Sequence, residues 1–156
     1  MFRSRNRLLL VSLRSGYSNA SNGGVMSGEL KGLKIMVIDD SNTIRRSAQI
    51  FLSQAQCEVI LAEDGFDALS KIVEREPDVI FLDVMMPRLD GYQTCAIIKK
   101  NPKLSAIPVV MLSSKDGVFD KARGRMVGAN DYLTKPFTRD SLLGAASAHA
   151  TRRVES

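Results

Sequence analysis

The chain has 156 residues, a formal net charge of +5 and 44% hydrophobic residues, which suits a soluble protein with a buried core. No apolar stretch approaches the roughly 20 residues that span a bilayer, so we expect no stable membrane insertion. The two cysteines, Cys57 and Cys95, are far apart and have no clustered histidine. This pattern favours free thiols and a cytoplasmic location over a disulfide framework or a zinc site.

The positive charge is concentrated in the first 25 residues, which hold four arginines and no acid. The rest of the chain carries only +1 of the net charge of +5, so a basic nucleic-acid-binding patch on the folded domain is not indicated. We interpret residues 1–30 as a flexible basic extension, with Met26 as an alternative start of translation. A membrane-surface or nucleic-acid-binding arm and a short export signal are the other readings of this segment.

From residue 34 onward, short apolar runs alternate with segments of helical periodicity. The runs predict five strands, at residues 35–38, 58–62, 79–82, 107–112 and 131–134. The intervening segments predict five helices, at residues 42–56, 65–75, 91–100, 116–127 and from Thr138 to about His149, with Ser41 and Thr138 as caps. We therefore expect an α/β domain at residues 31–150, built on a single doubly wound parallel sheet, and a tail at residues 151–156.

Polar residues gather at the carboxyl ends of the predicted strands, where parallel α/β folds bind their ligands. They are Asp39 and Asp40 after the first strand, Asp83 after the third, Ser113 and Ser114 after the fourth, and Lys135 after the fifth. Three carboxylates at one edge repel each other unless a cation joins them, and Mg²⁺ binds carboxylates while keeping positions open for phosphate oxygens. A lone carboxylate opposite the acidic pair can accept a phosphoryl group as a nucleophile. A lysine and a hydroxyl can hold the other phosphoryl oxygens.

Four segments resemble the response-regulator receiver domain, namely DDS at 39–41, FLDVMMPRLDGY at 81–92, MLSS at 111–114 and GANDYLTKPF at 128–137. The resemblance covers residues 32 to about 150 and implies a flavodoxin-like, CheY-like sheet with strand order 2-1-3-4-5. The segments DGFDAL at 64–69, PRLDGYQTC at 87–95 and SSKDGVFDKARGRMVGANDYLTKPF at 113–137 are most similar to regulators of type IV pilus twitching motility. Those regulators belong to chemotaxis-like pathways.

The resemblance implies a role for each carboxylate and for the lysine. Asp83 becomes the aspartate that accepts a phosphoryl group from a CheA-like histidine kinase or a phosphotransfer domain. The side chains of Asp39, Asp40 and Asp83 become Mg²⁺ ligands, together with the backbone carbonyl of Met85. Lys135 becomes the lysine that pairs with the phosphoryl group, and its bond to Pro136 is a candidate for the cis form.

The resemblance also implies a conformational response. Ser113 matches the hydroxyl that moves toward the phosphoryl group, and Tyr132 matches the aromatic residue that then changes rotamer. A downstream protein partner would bind the last two helices and strand five. We interpret the one histidine, His149, as a solvated helix-end residue and not as a phosphodonor. Apart from self-phosphorylation by small phosphodonors and self-dephosphorylation, no enzymatic activity is expected.

Three other classes of protein share parts of this pattern. A Mg²⁺-dependent aspartyl-phosphate phosphatase or phosphotransferase commonly carries Asp-x-Asp with the nucleophile first, whereas these acids are adjacent. A flavodoxin-like flavin module needs a Ser, Thr and Gly-rich loop after the first strand, where this chain has DDSNTI at 39–44. A DNA-binding regulator needs a second domain, and only the short tail follows the predicted helices, so we expect no DNA binding.

Overall fold

Five parallel strands form one sheet in the order β2-β1-β3-β4-β5 in the computed structural model, which describes residues 30–114 and 120–155, with side chains through residue 150. The strands are β1 (Lys34–Ile38), β2 (Glu58–Ala62), β3 (Val79–Asp83), β4 (Val109–Ser114) and β5 (Asp131–Lys135). The helices are α1 (Asn42–Gln54), α2 (Gly65–Arg75), α3 (Gly91–Lys100), α4 (Lys121–Met126) and α5 (Arg139–Glu155). The predicted doubly wound fold and strand order are confirmed. The extension at residues 1–29 lies outside the described residues.

Helices cover both faces of the sheet. Successive side chains of a strand point to opposite sides, so each strand contributes residues to two buried clusters. In β1, Ile35 and Val37 pack in the cluster that contains the buried residues of α1 and α5. Met36 and Ile38 belong to the opposite cluster, with the buried residues of α2 and α3. All five residues of β3 are buried, and the apolar run at residues 79–82 is what burial on both faces of a sheet requires.

Each helix begins at a side-chain oxygen that accepts a hydrogen bond from a backbone N–H group three residues later. The accepting residues are Ser41, Asp64, Asp90, Asp120 and Thr138. The two predicted caps, Ser41 and Thr138, are therefore confirmed. Since these caps lie a few residues beyond strand ends, they fix the loops along the carboxyl edge of the sheet.

Strand β4 departs most from its predicted bounds. It begins at Val109 and not at residue 107, because Pro108 has no N–H group to donate to a neighbouring strand. It continues through Ser113 and Ser114, which pair with β5. The prediction ended the strand at residue 112, whereas pairing with β5 extends it by these two residues.

Two helices also differ from their predicted bounds. Helix α1 ends at Gln54 and not at residue 56, since Gln56 has a φ angle of 65°, in the left-handed region. Helix α4 begins at Lys121, and the part of its predicted range at residues 116–119 lies outside the described residues. No helix among the described residues has the length and apolar character that crossing a membrane requires.

The prediction that His149 is solvated is wrong. Its side chain is fully buried, with Nε2 3.0 Å from Oδ2 of Asp131 in β5. Helix α5 does not end near His149 but continues to Glu155, and Ala150 beside the histidine is also buried. The contact with Asp131 in β5 therefore gives the buried imidazole a polar partner, which the position near a predicted helix end did not suggest.

Gly91 begins α3 directly against the backbone of β3. A Cβ atom at Gly91 would collide with the carbonyl oxygen of Asp83 and would lie 2.8 Å from Cα of Val84. Both obstacles are backbone atoms, so we expect Gly91→Ala to lower the free energy of unfolding by about 1–3 kcal/mol. In α5, a Cβ atom at Gly144 would meet nothing within 4 Å. Gly144→Ala should therefore raise the free energy of unfolding by about 0.5–1 kcal/mol. Urea denaturation measures the free energy of unfolding of both variants. Equal values for the two variants would contradict the close approach of α3 to the backbone of β3.

Candidate functional site

Three carboxylates meet at the carboxyl edge of the sheet. Asp39 and Asp40 follow β1, and Asp83 is the last residue of the neighbouring strand β3. One oxygen atom from each carboxylate lies within 4.8 Å of the others. Asp39 and Asp83 are buried, at 0% and 3% exposure, whereas Asp40 is exposed. The structure thus brings together the acidic residues that the strand ends predicted.

Lys135 reaches this cluster from the end of β5. Its ammonium Nζ donates hydrogen bonds to Oδ2 of Asp39 at 2.9 Å and to Oδ1 of Asp83 at 3.0 Å. Burial alone would lower the pKa of Lys135, but its bonds to Asp39 and Asp83 outweigh burial and raise that pKa above its ordinary value. The lysine therefore remains a cation between the two buried carboxylates.

The cluster is nevertheless short of positive charge. Burial raises the pKa of Asp83, and the charge of Asp39 raises it further, so that it reaches about 7 despite the opposing effect of Lys135. One ammonium group thus faces three carboxylates. Because like charges in a poorly solvated site disfavour ionisation, an additional cation would stabilise the ionised form of Asp83.

Several hydrogen bonds hold Asp39 in place. Its Oδ1 accepts a hydrogen bond from the Ser41 N–H at 2.9 Å, and its Oδ2 accepts one from Lys135. The guanidinium Nη1 of Arg45 donates to the backbone carbonyl of Asp39 at 2.7 Å. Arg45 is not among the predicted site residues, and its place in the first turns of the helix that follows the acidic pair is its one signal in the sequence. Arg45 fixes the turn that presents Asp39.

The carboxylates open into a cavity of about 130 Å³. Ser113, Ser114 and Met85 contribute to its lining. Ser113 is buried at 8% exposure, whereas the side chain of Met85 is exposed at 72%. The structure therefore places Ser113 and Met85, both predicted site residues, around the same cavity as Asp83.

Tyr132, the predicted aromatic switch residue, does not line this cavity. It lies in β5 and is 40% exposed, and its ring is 4.8 Å from Nζ of Lys121 in α4. Together with Lys121, it lines a second cavity of about 170 Å³ between α4 and β5. The peptide bond that follows β5, between Lys135 and Pro136, is cis, as the resemblance implied.

The donor set fits Mg²⁺ better than a softer metal. Oxygen atoms of Asp39, Asp40 and Asp83 converge, and the cluster contains no cysteine or histidine of the kind that favours zinc. Mg²⁺ needs only a few protein oxygens and retains water, which the adjoining cavity can accommodate. The backbone of Met85 follows Asp83 closely enough for its N–H to donate to Asp83 Oδ1 at 3.3 Å. These residues therefore form an acidic pocket whose donor atoms are compatible with Mg²⁺.

Comparison with known proteins agrees with this site. A family model for the response regulator receiver domain matches residues 35–147. The chain is 61% identical to protein PilG of Pseudomonas aeruginosa over 124 residues, which are 80% of this chain and 92% of PilG. It is 43% identical over 105 residues to the alkaline phosphatase synthesis transcriptional regulatory protein PhoP of Bacillus subtilis, covering 67% of this chain and 43% of PhoP.

Solved structures with the same fold include signalling proteins. Chemotaxis protein CheY4 of Vibrio cholerae matches with a TM-score of 0.71 and 32% identity, covering 75% of this chain and 98% of CheY4. The receiver domain of the Francisella response regulator 1452 matches with a TM-score of 0.69 and 34% identity, covering 78% of this chain and 98% of that domain.

The chain therefore belongs to the response regulator receiver domain family, as its motifs predicted. It is a signalling protein, and its relatives support signalling in a chemotaxis-like pathway. The alternative of a Mg²⁺-dependent phosphatase or phosphotransferase is not favoured.

Removing one negative charge from the cluster should change both stability and the response to Mg²⁺. Two charges about 4 Å apart in water interact by about 1 kcal/mol. We therefore expect Asp40→Asn to raise the melting temperature without metal by about 2–4 °C. Millimolar Mg²⁺ should raise the melting temperature of the native protein, because a ligand that binds the folded state stabilises it. The Asp40→Asn variant should lose that response.

Calorimetry with and without Mg²⁺ measures both effects. Glu74→Gln, an exposed carboxylate near the end of α2, is the control and should behave as the native protein does. A native melting temperature that Mg²⁺ leaves unchanged would contradict the proposed relief of charge repulsion.

Proposed function

We propose that this protein accepts a phosphoryl group on Asp83 from a histidine kinase or a phosphotransfer domain, in the presence of Mg²⁺. The observation that carries the proposal is the setting of Asp83, a buried carboxylate that ends an interior strand and lines an open cavity. Its Oδ1 is 3.0 Å from the ammonium group of Lys135. A nucleophilic carboxylate and a cation for the transferred oxygens are therefore adjacent.

The transfer is a substitution at phosphorus. A carboxylate oxygen of Asp83 forms a new P–O bond while the P–N bond of a phosphohistidine breaks, and the released imidazole takes up a proton. Asp39, Asp40, Asp83 and the backbone carbonyl of Met85 would hold Mg²⁺, which supplies positive charge next to the transferred oxygens.

Lys135 and Ser113 would hold the remaining phosphoryl oxygens. The ammonium group of Lys135 already lies against Asp83, and a charge-assisted hydrogen bond to phosphate is among the strong ones. Ser113 lines the same cavity as Asp83, so its hydroxyl group is a candidate to bond the new group. Phosphorylation adds negative charge and acceptor oxygens at this edge, which favours any conformation that brings Ser113 closer.

The output of this switch would be a protein surface on α4, β5 and α5. Tyr132 lies on that surface and is partly exposed, so a change of its rotamer would alter what a partner contacts. The identity of 61% to PilG over most of both chains supports a cytoplasmic, chemotaxis-like pathway with a CheA-like kinase that controls type IV pilus twitching motility.

Replacing Asp83 by asparagine should abolish phosphorylation. Acetyl phosphate with Mg²⁺ should add the mass of one phosphoryl group to the native protein, and none to the Asp83→Asn variant. Asp64→Asn is the matched control, because Asp64 follows the edge strand β2, which β1 separates from β3, and asparagine also caps helices. That control should be labelled as the native protein is. Labelling of the Asp83→Asn variant at the native rate would disprove the assignment.

Met85 should prolong the phosphorylated state. Met85 is exposed and lines the cavity, and its thioether cannot orient a water molecule by hydrogen bonding as an amide can. We expect Met85→Asn to lose its phosphoryl group several-fold faster than the native protein after the phosphodonor is removed. Met85→Leu, which keeps an apolar side chain, should decay at the native rate. Decay in the asparagine variant that is equal to or slower than that of the native protein would refute this role.

A further inference from the structure

Tyr92 links two helices that are distant in sequence. It lies in α3, is buried at 6% exposure, and its hydroxyl oxygen accepts a hydrogen bond from the backbone N–H of Asp120 at 2.9 Å. Asp120 is the N-cap of α4, where its own carboxylate accepts a hydrogen bond from the N–H of Arg123 at 3.1 Å. The phenol of α3 therefore anchors the residue at which α4 begins.

Arg123 adds two further contacts between the same helices. Its guanidinium carbon lies 4.2 Å from the centre of the Tyr92 ring, a distance at which cation–π attraction operates. Its Nη2 is 3.9 Å from Oδ2 of Asp90, the N-cap of α3. Since exposed ion pairs contribute little, the ring contact and the hydroxyl bond are the main part of this linkage.

Helix α4 needs such contacts to keep its place. It has six residues, far below the length at which an isolated helix persists in water, and it contains Gly124. Its other residues are exposed, namely Lys121, Ala122, Arg123, Arg125 and Met126. The position of α4 therefore depends on a few tertiary contacts, among which those of Tyr92 lie at its first turn.

The anchored helix also contacts the predicted switch residue. Nζ of Lys121, the residue after Asp120, lies 4.8 Å from the centre of the Tyr132 ring. A change in the rotamer of Tyr132 would therefore alter a contact at the first turn of α4, which Tyr92 holds at Asp120. In the present arrangement, Lys135 contacts Asp83 directly while the Tyr92 hydroxyl bond is formed.

We propose that Tyr92 is a positioning residue of the switch, whose hydroxyl bond to Asp120 stabilises this arrangement over the one with Ser113 on a phosphoryl group. This inference rests on the proposed function of Asp83. A contact shifts an equilibrium between two conformations only if it is stronger in one of them. For Tyr92 to act in this way, its hydroxyl bond to Asp120 must be weakened or lost when Ser113 moves. Removing the hydroxyl group would therefore destabilise the present arrangement more than the phosphorylated one.

The test compares two variants that each lose one hydroxyl group from α3. Tyr92→Phe removes the bond to Asp120 and keeps the ring. Thr94→Val removes a buried hydroxyl whose bond, to the carbonyl of Asp90 at 2.8 Å, stays within the α3 region. The probe is beryllofluoride with Mg²⁺, a phosphoryl mimic, titrated into the full chain and followed by nuclear magnetic resonance.

The loss of a hydrogen bond from one conformation corresponds to a shift of about two- to tenfold in the equilibrium. We expect Tyr92→Phe to bind beryllofluoride more tightly by about that factor, whereas Thr94→Val binds as the native protein does. Amide hydrogen exchange at Asp120 should be faster in Tyr92→Phe and unchanged in Thr94→Val. If Tyr92→Phe does not fold, Arg123→Gln carries the test, because it removes the cation–π contact from an exposed position and should also tighten binding.

The outcomes separate this inference from the proposed function. Failure of the native protein to bind beryllofluoride would contradict the role of Asp83 and, with it, the switch. Native binding with an unchanged or weaker affinity in Tyr92→Phe would overturn the role of Tyr92 alone. Tighter binding in both Tyr92→Phe and Thr94→Val would also overturn it, since the effect would then reflect a loosened α3.

Discussion

The ammonium group of Lys135 lies between the buried carboxylates of Asp39 and Asp83, and the chemistry of the site depends on this placement. Charged groups lose hydration on burial, and they tolerate that loss only when oppositely charged partners and hydrogen bonds replace the water. Here one ammonium group serves two buried carboxylates while the charge of Asp40 lies close by. The remaining deficit of positive charge explains why the site suits both a divalent cation and the further contacts that a phosphoryl group brings.

The sheet makes this placement possible through its strand order. β1 and β3 are neighbours, so Asp39 and Asp83 meet directly, whereas Lys135 must cross the end of β4 to reach them. Strands lie about 4.8 Å apart, so a long side chain is needed for that reach, and small residues must end the intervening strand. Ser113 and Ser114 meet that need. The same serines line the cavity that contains Asp83, so one feature of the sheet would serve both the reach of Lys135 and the proposed switch.

Much of this architecture could be predicted because local sequence and tertiary structure agree. The bounds of α2 and α3 match their predicted ranges, and in the structure a capping aspartate precedes each of these helices. The carboxylates and Lys135 were found because parallel strands bring their carboxyl ends to one edge. Other features depend on partners distant in sequence, which no local pattern reveals. They include the extra pairing of Ser114 with β5, the burial of His149 against Asp131, and the bond from Asp120 to Tyr92.

Locating the phosphoryl group tests the central assignment most directly. An acyl phosphate on aspartate is reduced by borohydride to homoserine, and peptide mass spectrometry then identifies the modified position. After treatment with acetyl phosphate and Mg²⁺, we expect homoserine at residue 83 and intact aspartate at Asp39 and Asp40. Conversion at either member of the acidic pair, or the absence of conversion at Asp83 in a protein that has gained a phosphoryl group, would contradict the assignment.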